Sequence, residues 1–108
     1  MAEALPATAV VRASRATFHP SRFAEVDAMN TKTSEYLIPA VKQLPGLIHF
    51  YAGVSSGGEM LQLSVWDSPE HAAQLNHLSE MVVVARGEME TVGVTFTPVA
   101  TFPINWTI

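Results

Sequence analysis

The sequence predicts an α+β protomer in the order strand, helix, strand, strand, helix, strand, built on one antiparallel sheet. Three observations carry this. Alternating apolar residues on both sides of a Ser-Ser-Gly-Gly turn mark a central hairpin over residues 47–66. Two stretches with helical apolar spacing flank that hairpin, and each opens on a start signal that contains proline. The chain has 108 residues, 48% of them hydrophobic, which supports one domain with one core.

Residues 1–8 read as a disordered lead and 9–108 as the domain. Residues 9–18 (AVVRASRATF), bounded by Pro6 and Pro20, mix β-branched and polar side chains and form the first strand. His19-Pro20-Ser21 opens the first helix, in which Phe23, Val26, Asn30, Leu37, Val41 and Leu44 follow the helical period. Pro39 is expected to kink or interrupt its last turns, and Pro45-Gly46 ends it. In the strand 47–55, Ile48, Phe50, Ala52 and Val54 take one face, and Leu47, His49 and Tyr51 the other. In the partner strand 60–66, Leu61, Leu63 and Val65 oppose Gln62, Ser64 and Trp66. Ser68-Pro69-Glu70 starts the second helix with a hydroxyl cap and an early acid. A second start at Ser79 implies a break near Leu78, with the helix resuming through Thr91 and stopping at Gly93. Met81, Val82, Val83, Val84 and Met89 read as core. Residues 94–102, with Pro98 inside, form a last strand at an edge or with a bulge. The apolar tail Phe102-Pro103-Ile104-Asn105-Trp106 should pack on something.

In a single sheet, this order is the ferredoxin-like split βαβ arrangement. Both faces of its hairpin carry bulky residues, whereas two helices cover only one face. The other face needs a second sheet, and a homodimer forming a dimeric α/β barrel supplies it. The charged fraction of 15%, against roughly 25% in an average globular protein, fits a surface partly hidden in such a dimer.

The absence of cysteine excludes disulfides, thiolate metal sites and a cysteine nucleophile. Six cations against ten acids (net charge −4) argue against nucleic acid as a partner. No run approaches the roughly 20 apolar residues of a membrane span, and residues 1–8 lack the basic start of a signal peptide. The expectation is a soluble, cytoplasmic protein without membrane contact.

Several short motifs, in order along the chain, resemble the antibiotic biosynthesis monooxygenase-like group of the dimeric α/β-barrel superfamily. They are Leu44-Pro45-Gly46 before the second strand and Ser64-Val65-Trp66-Asp67-Ser68-Pro69-Glu70-His71-Ala72 from third strand into helix. The His77-Leu78 pair and Pro103-Ile104-Asn105-Trp106 add to them. The resemblance implies the dimeric barrel and one of three roles. The first is cofactor-free oxygenation of a phenolic aromatic substrate; the second is non-catalytic binding of a small ligand; the third is haem binding or degradation. For the third, Trp66 and His77 match haem-degrading members, but the Asn those members carry on the first strand has no counterpart in residues 9–18.

The residues themselves offer a short set of candidates. His49 and Tyr51 share one strand face. If that face also carries Gln62, Ser64 and Trp66, the set could bind and polarise an aromatic ketone or phenol, with His49 as proton acceptor. The alternative is that these side chains satisfy one another across a dimer interface. Trp66, at a strand–helix junction, either walls a cavity or fills it. His77, beside the helix break, is the second candidate for proton transfer, while His71 in the first helical turn reads as exposed. Asn30, Thr33, Ser34 and Tyr36 interrupt the apolar stripe of the first helix and face either a cavity or solvent. Arg12 and Arg15 point to opposite faces; one is solvated, and the other pairs with an acid or a substrate oxyanion. Expected site residues are therefore His49 and His77 as catalytic groups, with Tyr51, Trp66, Gln62 and Asn30 binding substrate. No His pair has the spacing of a helical metal site, so no metal is expected, and the resemblance to cofactor-free oxygenases implies no cofactor.

Overall fold

The structure is a computed structural model and describes residues 5–108. Strand β1 (Val10–Thr17) leads through a 3-10 turn (Pro20–Arg22) into helix α1 (Phe23–Lys42). Strands β2 (Leu47–Ser55) and β3 (Glu59–Trp66) form the hairpin. The second helical region is broken into α2 (Pro69–Ala72), a 3-10 turn (Ala73–Asn76), a π-helical segment (Glu80–Ala85) and α3 (Arg86–Thr91). Short strands β4 (Thr95–Phe96) and β5 (Ala100–Pro103) finish the chain. The sheet is antiparallel in the order β2-β3-β1-β4, with β5 also on β1. This is the expected ferredoxin-like α+β fold. Among the described residues no helix is long and apolar enough to cross a membrane.

Local chemistry accounts for the ends of the elements. His19 Nδ1 accepts the Ser21 amide at 3.1 Å, and Ser68 Oγ accepts the His71 amide at 3.2 Å, each satisfying a free N–H of a helical start. Gly46 adopts φ +87°, and a β-carbon there would collide with the His71 ring and the Asp67 carboxylate. Those two side chains meet at 2.6 Å, and the Asp67 amide donates to the Gly46 carbonyl at 2.9 Å. The Leu-Pro-Gly and Trp-Asp-Ser-Pro-Glu-His motifs, distant in sequence, thus lock one corner together.

Several details depart from the sequence expectations. Helix α1 runs through Pro39 without interruption, because Pro39 lies on the exposed side where water can reach the freed carbonyl. A bulge between Leu47 and His49 puts Leu47 beside Trp66, on the helix-covered face and not with His49 and Tyr51. The last strand divides around Pro98, and its register on β1 slips by one residue between Phe96 and Ala100. Val82, Val83 and Val84 are exposed and not core, since the wider π-helical turn inserts Met81 and Ala85 toward the sheet instead. The tail does not pack within the protomer: Trp106 is 77% exposed. Of the expected disordered lead, residues 1–4 lie outside the described residues, while Pro6 to Ala9 form a turn closed by the Ala9 amide on the Pro6 carbonyl.

Helices α1 and α3 are tied by polar contacts as well as packing. Tyr36 donates to Glu88 at 2.7 Å, and Lys32 lies 3.2 Å from the same carboxylate. The Tyr36 hydrogen bond, followed by Lys32, holds the Glu88 carboxyl below its usual range. A depressed carboxyl contributes stability above its unfolded pKa and loses it as pH falls through the folded value. Glu88→Gln should therefore flatten the acid limb of the stability curve, read as urea midpoints measured between neutral and acidic pH. Tyr36 moves the other way: burial, then Glu88, pushes its hydroxyl up to about 12. Its contribution is present below the unfolded value near 10 and fades as pH rises toward about 12.

Candidate ligand-binding cleft

The core is divided into two clusters, and the division creates the site. One cluster gathers Ala16, Phe18, Val26, Met60, Met89 and Val94; the other gathers Val10, Val41, Trp66, Ala72 and Leu75. Three neighbouring elements repeat one pattern along their inward faces, apolar at each end and polar between. On β1 it is Val10, then Arg12 and Ser14, then Ala16; on β3 it is Met60, then Gln62 and Ser64, then Trp66. On α1 it is Val26, then Asn30 and Thr33, then Val41. The register of β1 on β3 sets Ser14 opposite Gln62 and Arg12 opposite Ser64, so the polar stretches coincide. Apolar packing cannot close over them, and a cleft remains between α1 and the sheet.

A cavity of about 480 Å³ lies between α1 and β2. Leu37, Ile38, Val41 and Phe50 wall it, and Asn30, Thr33, Ser34 and Gln62 supply its polar groups. That volume and lining suit a small organic ligand. A smaller cavity of about 70 Å³ shares Asn30, Thr33, Leu37 and Gln62 with it and continues toward Arg12, Met81, Ala85 and Arg86. Thr33 spends its hydroxyl on the Asn30 carbonyl at 3.0 Å, which fixes that turn of α1 beside the cavity.

The structure settles which sheet face carries which candidate. Gln62, Ser64 and Trp66 share the helix-covered face with Phe50, whereas His49 and Tyr51 sit on the opposite face with Leu63 and Val65. The polar-aromatic face expected to unite all five side chains is therefore split, because the bulge and hairpin register pair Phe50 with Ser64. Asn30 and Gln62 line the large cavity, and His49 reaches it from the edge strand. Tyr51 is exposed and stacks on His49, with ring centroids 5.9 Å apart. Trp66 is fully buried in the second core cluster, donating its indole N–H to Ser64 Oγ at 2.8 Å. His77 is exposed at the end of the 3-10 turn and lines neither cavity. Sequence reasoning misses the apolar walls Leu37, Ile38 and Phe50, and also Arg86. The helical stripe of α1 contains the signal for Leu37; the π-helical register that brings Arg86 to the rim of the smaller cavity leaves none. Among the described residues no group of three or more His, Asp or Glu is placed to hold a metal ion.

No family model matches the chain, and no curated protein matches it either. Solved structures do match. SnoaB, described as a cofactor-independent oxygenase from Streptomyces nogalater, is 15% identical over 94% of this chain and 98% of its own, with TM-score 0.67. A Deinococcus radiodurans protein assigned as an antibiotic biosynthesis monooxygenase is 15% identical over 92% of this chain and 95% of its own, with TM-score 0.68. The chain shares the fold of these two proteins. A dimeric ferredoxin-like protein from an uncultured marine organism shares that fold at 13% identity, over 94% of this chain and 92% of its own, with TM-score 0.64. The likeness runs through nearly the whole chain, as the motif resemblance implied.

Proposed function

We propose that the protein is a cofactor-independent oxygenase acting on a planar phenolic or enolisable aromatic compound held between α1 and the sheet. The observation that carries this reading is the cavity of about 480 Å³, apolar on its flanks and crossed by the amides of Asn30 and Gln62. Apolar walls favour an aromatic ring, and the two amides can donate to a ring oxygen as negative charge develops on it. His49 borders the cavity from the edge strand and takes the substrate proton at its open rim, whereas Tyr51 stacks on it outside the cavity and touches no ligand. Trp66, bonded to Ser64 in the second core cluster, lines neither cavity and touches no ligand in this reading. His77 has no role in this reading. The substrate anion itself supplies electrons to dioxygen. For an anthrone, one oxygen atom becomes the new quinone carbonyl and the other leaves as water. The likeness in fold to a cofactor-independent oxygenase supports the reading.

The same proposal includes a second copy of this chain. The sheet face away from the helices carries Tyr51, Leu61, Leu63, Val65 and Phe102, with Tyr51, Leu61 and Phe102 each about half exposed. An apolar face of this kind is covered in a stable protein. The dimeric neighbour of the same fold supports a homodimer as the cover.

Oxygen uptake with a hydroxylated anthrone tests the enzyme reading. The purified protein should accelerate uptake, and the double variant Asn30→Ala/Gln62→Ala should lower kcat/KM by about 10²-fold or more, the scale of losing oxyanion donors. Tight binding without accelerated uptake would favour the non-catalytic ligand-binding reading.

A further inference from the structure

We infer that the cleft selects an anionic aromatic ligand, with Arg12 and Arg86 receiving its oxyanion in the smaller cavity. The inference rests on the cleft being the substrate site and adds the charge class of the substrate.

The starting observation is a buried cation without an anion. Arg12 is 5% exposed, and its guanidinium has one side-chain partner, Asn76 Oδ1 at 3.0 Å. Among the described residues no carboxylate lies within salt-bridge distance of it. A guanidinium carries five N–H donors and stays charged under any ordinary condition. Burial lowers the Arg12 pKa, the direction expected of a cation taken from water with no compensating anion. Such a group opposes folding unless something pairs with it.

Arg12 lines the smaller cavity, and so does Arg86, at its exposed rim, where it stacks over the Phe96 ring at 5.2 Å and lies 3.8 Å from Glu90. Lys42 lies at the far end of the larger cavity. No Asp or Glu lines either cavity, although the chain carries ten acids against six cations. Cations are thus collected at the cleft in a protein of net charge −4. The smaller cavity, at about 70 Å³, holds roughly two waters' worth of volume. That is room for a carboxylate or phenolate oxygen, not for a ring. The shared border at Asn30, Thr33, Leu37 and Gln62 lets the ring occupy the larger cavity while its oxyanion projects toward Arg12. Planar, bidentate pairing with a carboxylate is what an arginine fork does best.

The test compares 1-hydroxy-2-naphthoate with its methyl ester, which keeps the rings and removes the charge, by calorimetric titration of the intact protein. The acid should bind at least tenfold more tightly than the ester. Arg12→Met should abolish that ratio by weakening binding of the acid. It should also raise the thermal midpoint, because it removes an unpaired buried charge. A side chain present for packing alone would instead lower the midpoint and leave the ratio intact. If Arg12→Met does not fold, Arg86→Gln, at the exposed rim, should still reduce the acid-to-ester ratio several-fold. Equal binding of acid and ester by the unmodified protein overturns the charge inference alone. Binding of neither compound, nor of neutral 1-naphthol, overturns the cleft reading and the inference with it.

Discussion

Trp66→Ala is expected to destabilise the protein by about 3–5 kcal/mol, the range for removing a large aromatic side chain from a core. Trp66 is fully buried, contacts Val10, Val41, Ala72 and Leu75, and closes the end of the sheet where α2 begins. A domain of this size has roughly 5–15 kcal/mol in total, so the variant should be close to unfolding at physiological temperature. The cavity cannot be filled by relaxation, because Ser68 capping and the Asp67–Gly46 hydrogen bond hold the adjoining corner fixed. Trp66→Phe separates packing from polarity. It keeps a ring but deprives Ser64 Oγ of its partner, and should cost about 1–3 kcal/mol. Urea denaturation, with the slope checked for constancy, measures both. A Trp66→Ala loss below about 1 kcal/mol would contradict its placement at the centre of the second cluster.

The second large effect concerns assembly. The protein should behave in solution as a particle of twice its 11.7 kDa chain mass. Leu61→Lys together with Leu63→Lys should convert it to the single-chain mass. Both residues lie on the uncovered sheet face, so the substitutions leave the α1 cleft and its apolar walls untouched. Burying an ammonium group in an interface without a partner costs several kcal/mol, enough to reverse a dimer of moderate affinity. Light scattering after size exclusion reads the outcome directly. A single-chain mass for the unmodified protein at micromolar concentration would remove the homodimer.

Element order was legible in the sequence because each signal was local. The Ser-Ser-Gly-Gly hairpin, the Ser68 cap, the break at Leu78 and the stop at Gly93 all depend on residues within a few positions. The exceptions are register effects. One extra residue at the start of β2 moves Leu47 to the other face, and one π-helical segment turns Val82, Val83 and Val84 outward. Neither bulge has a marker in composition or spacing. The site was half legible for the same reason. Asn30 and Thr33 stand out as polar residues in an apolar helical stripe, and the structure puts them on the cleft. Joining His49 and Tyr51 to Gln62 and Trp66 required knowing which faces of two strands coincide, and both faces were bulky. Arg12 illustrates the limit: its strand position left two roles open, and only the β1–β3 register puts it inside.

The most direct test of the cleft follows backbone amide resonances while 1-hydroxy-2-naphthoate is added to the labelled protein. Shifts centred on Asn30, Thr33, Phe50 and Gln62, extending to Arg12, are the predicted result. Shifts confined to Tyr51, Leu61 and Phe102 on the opposite sheet face would contradict it.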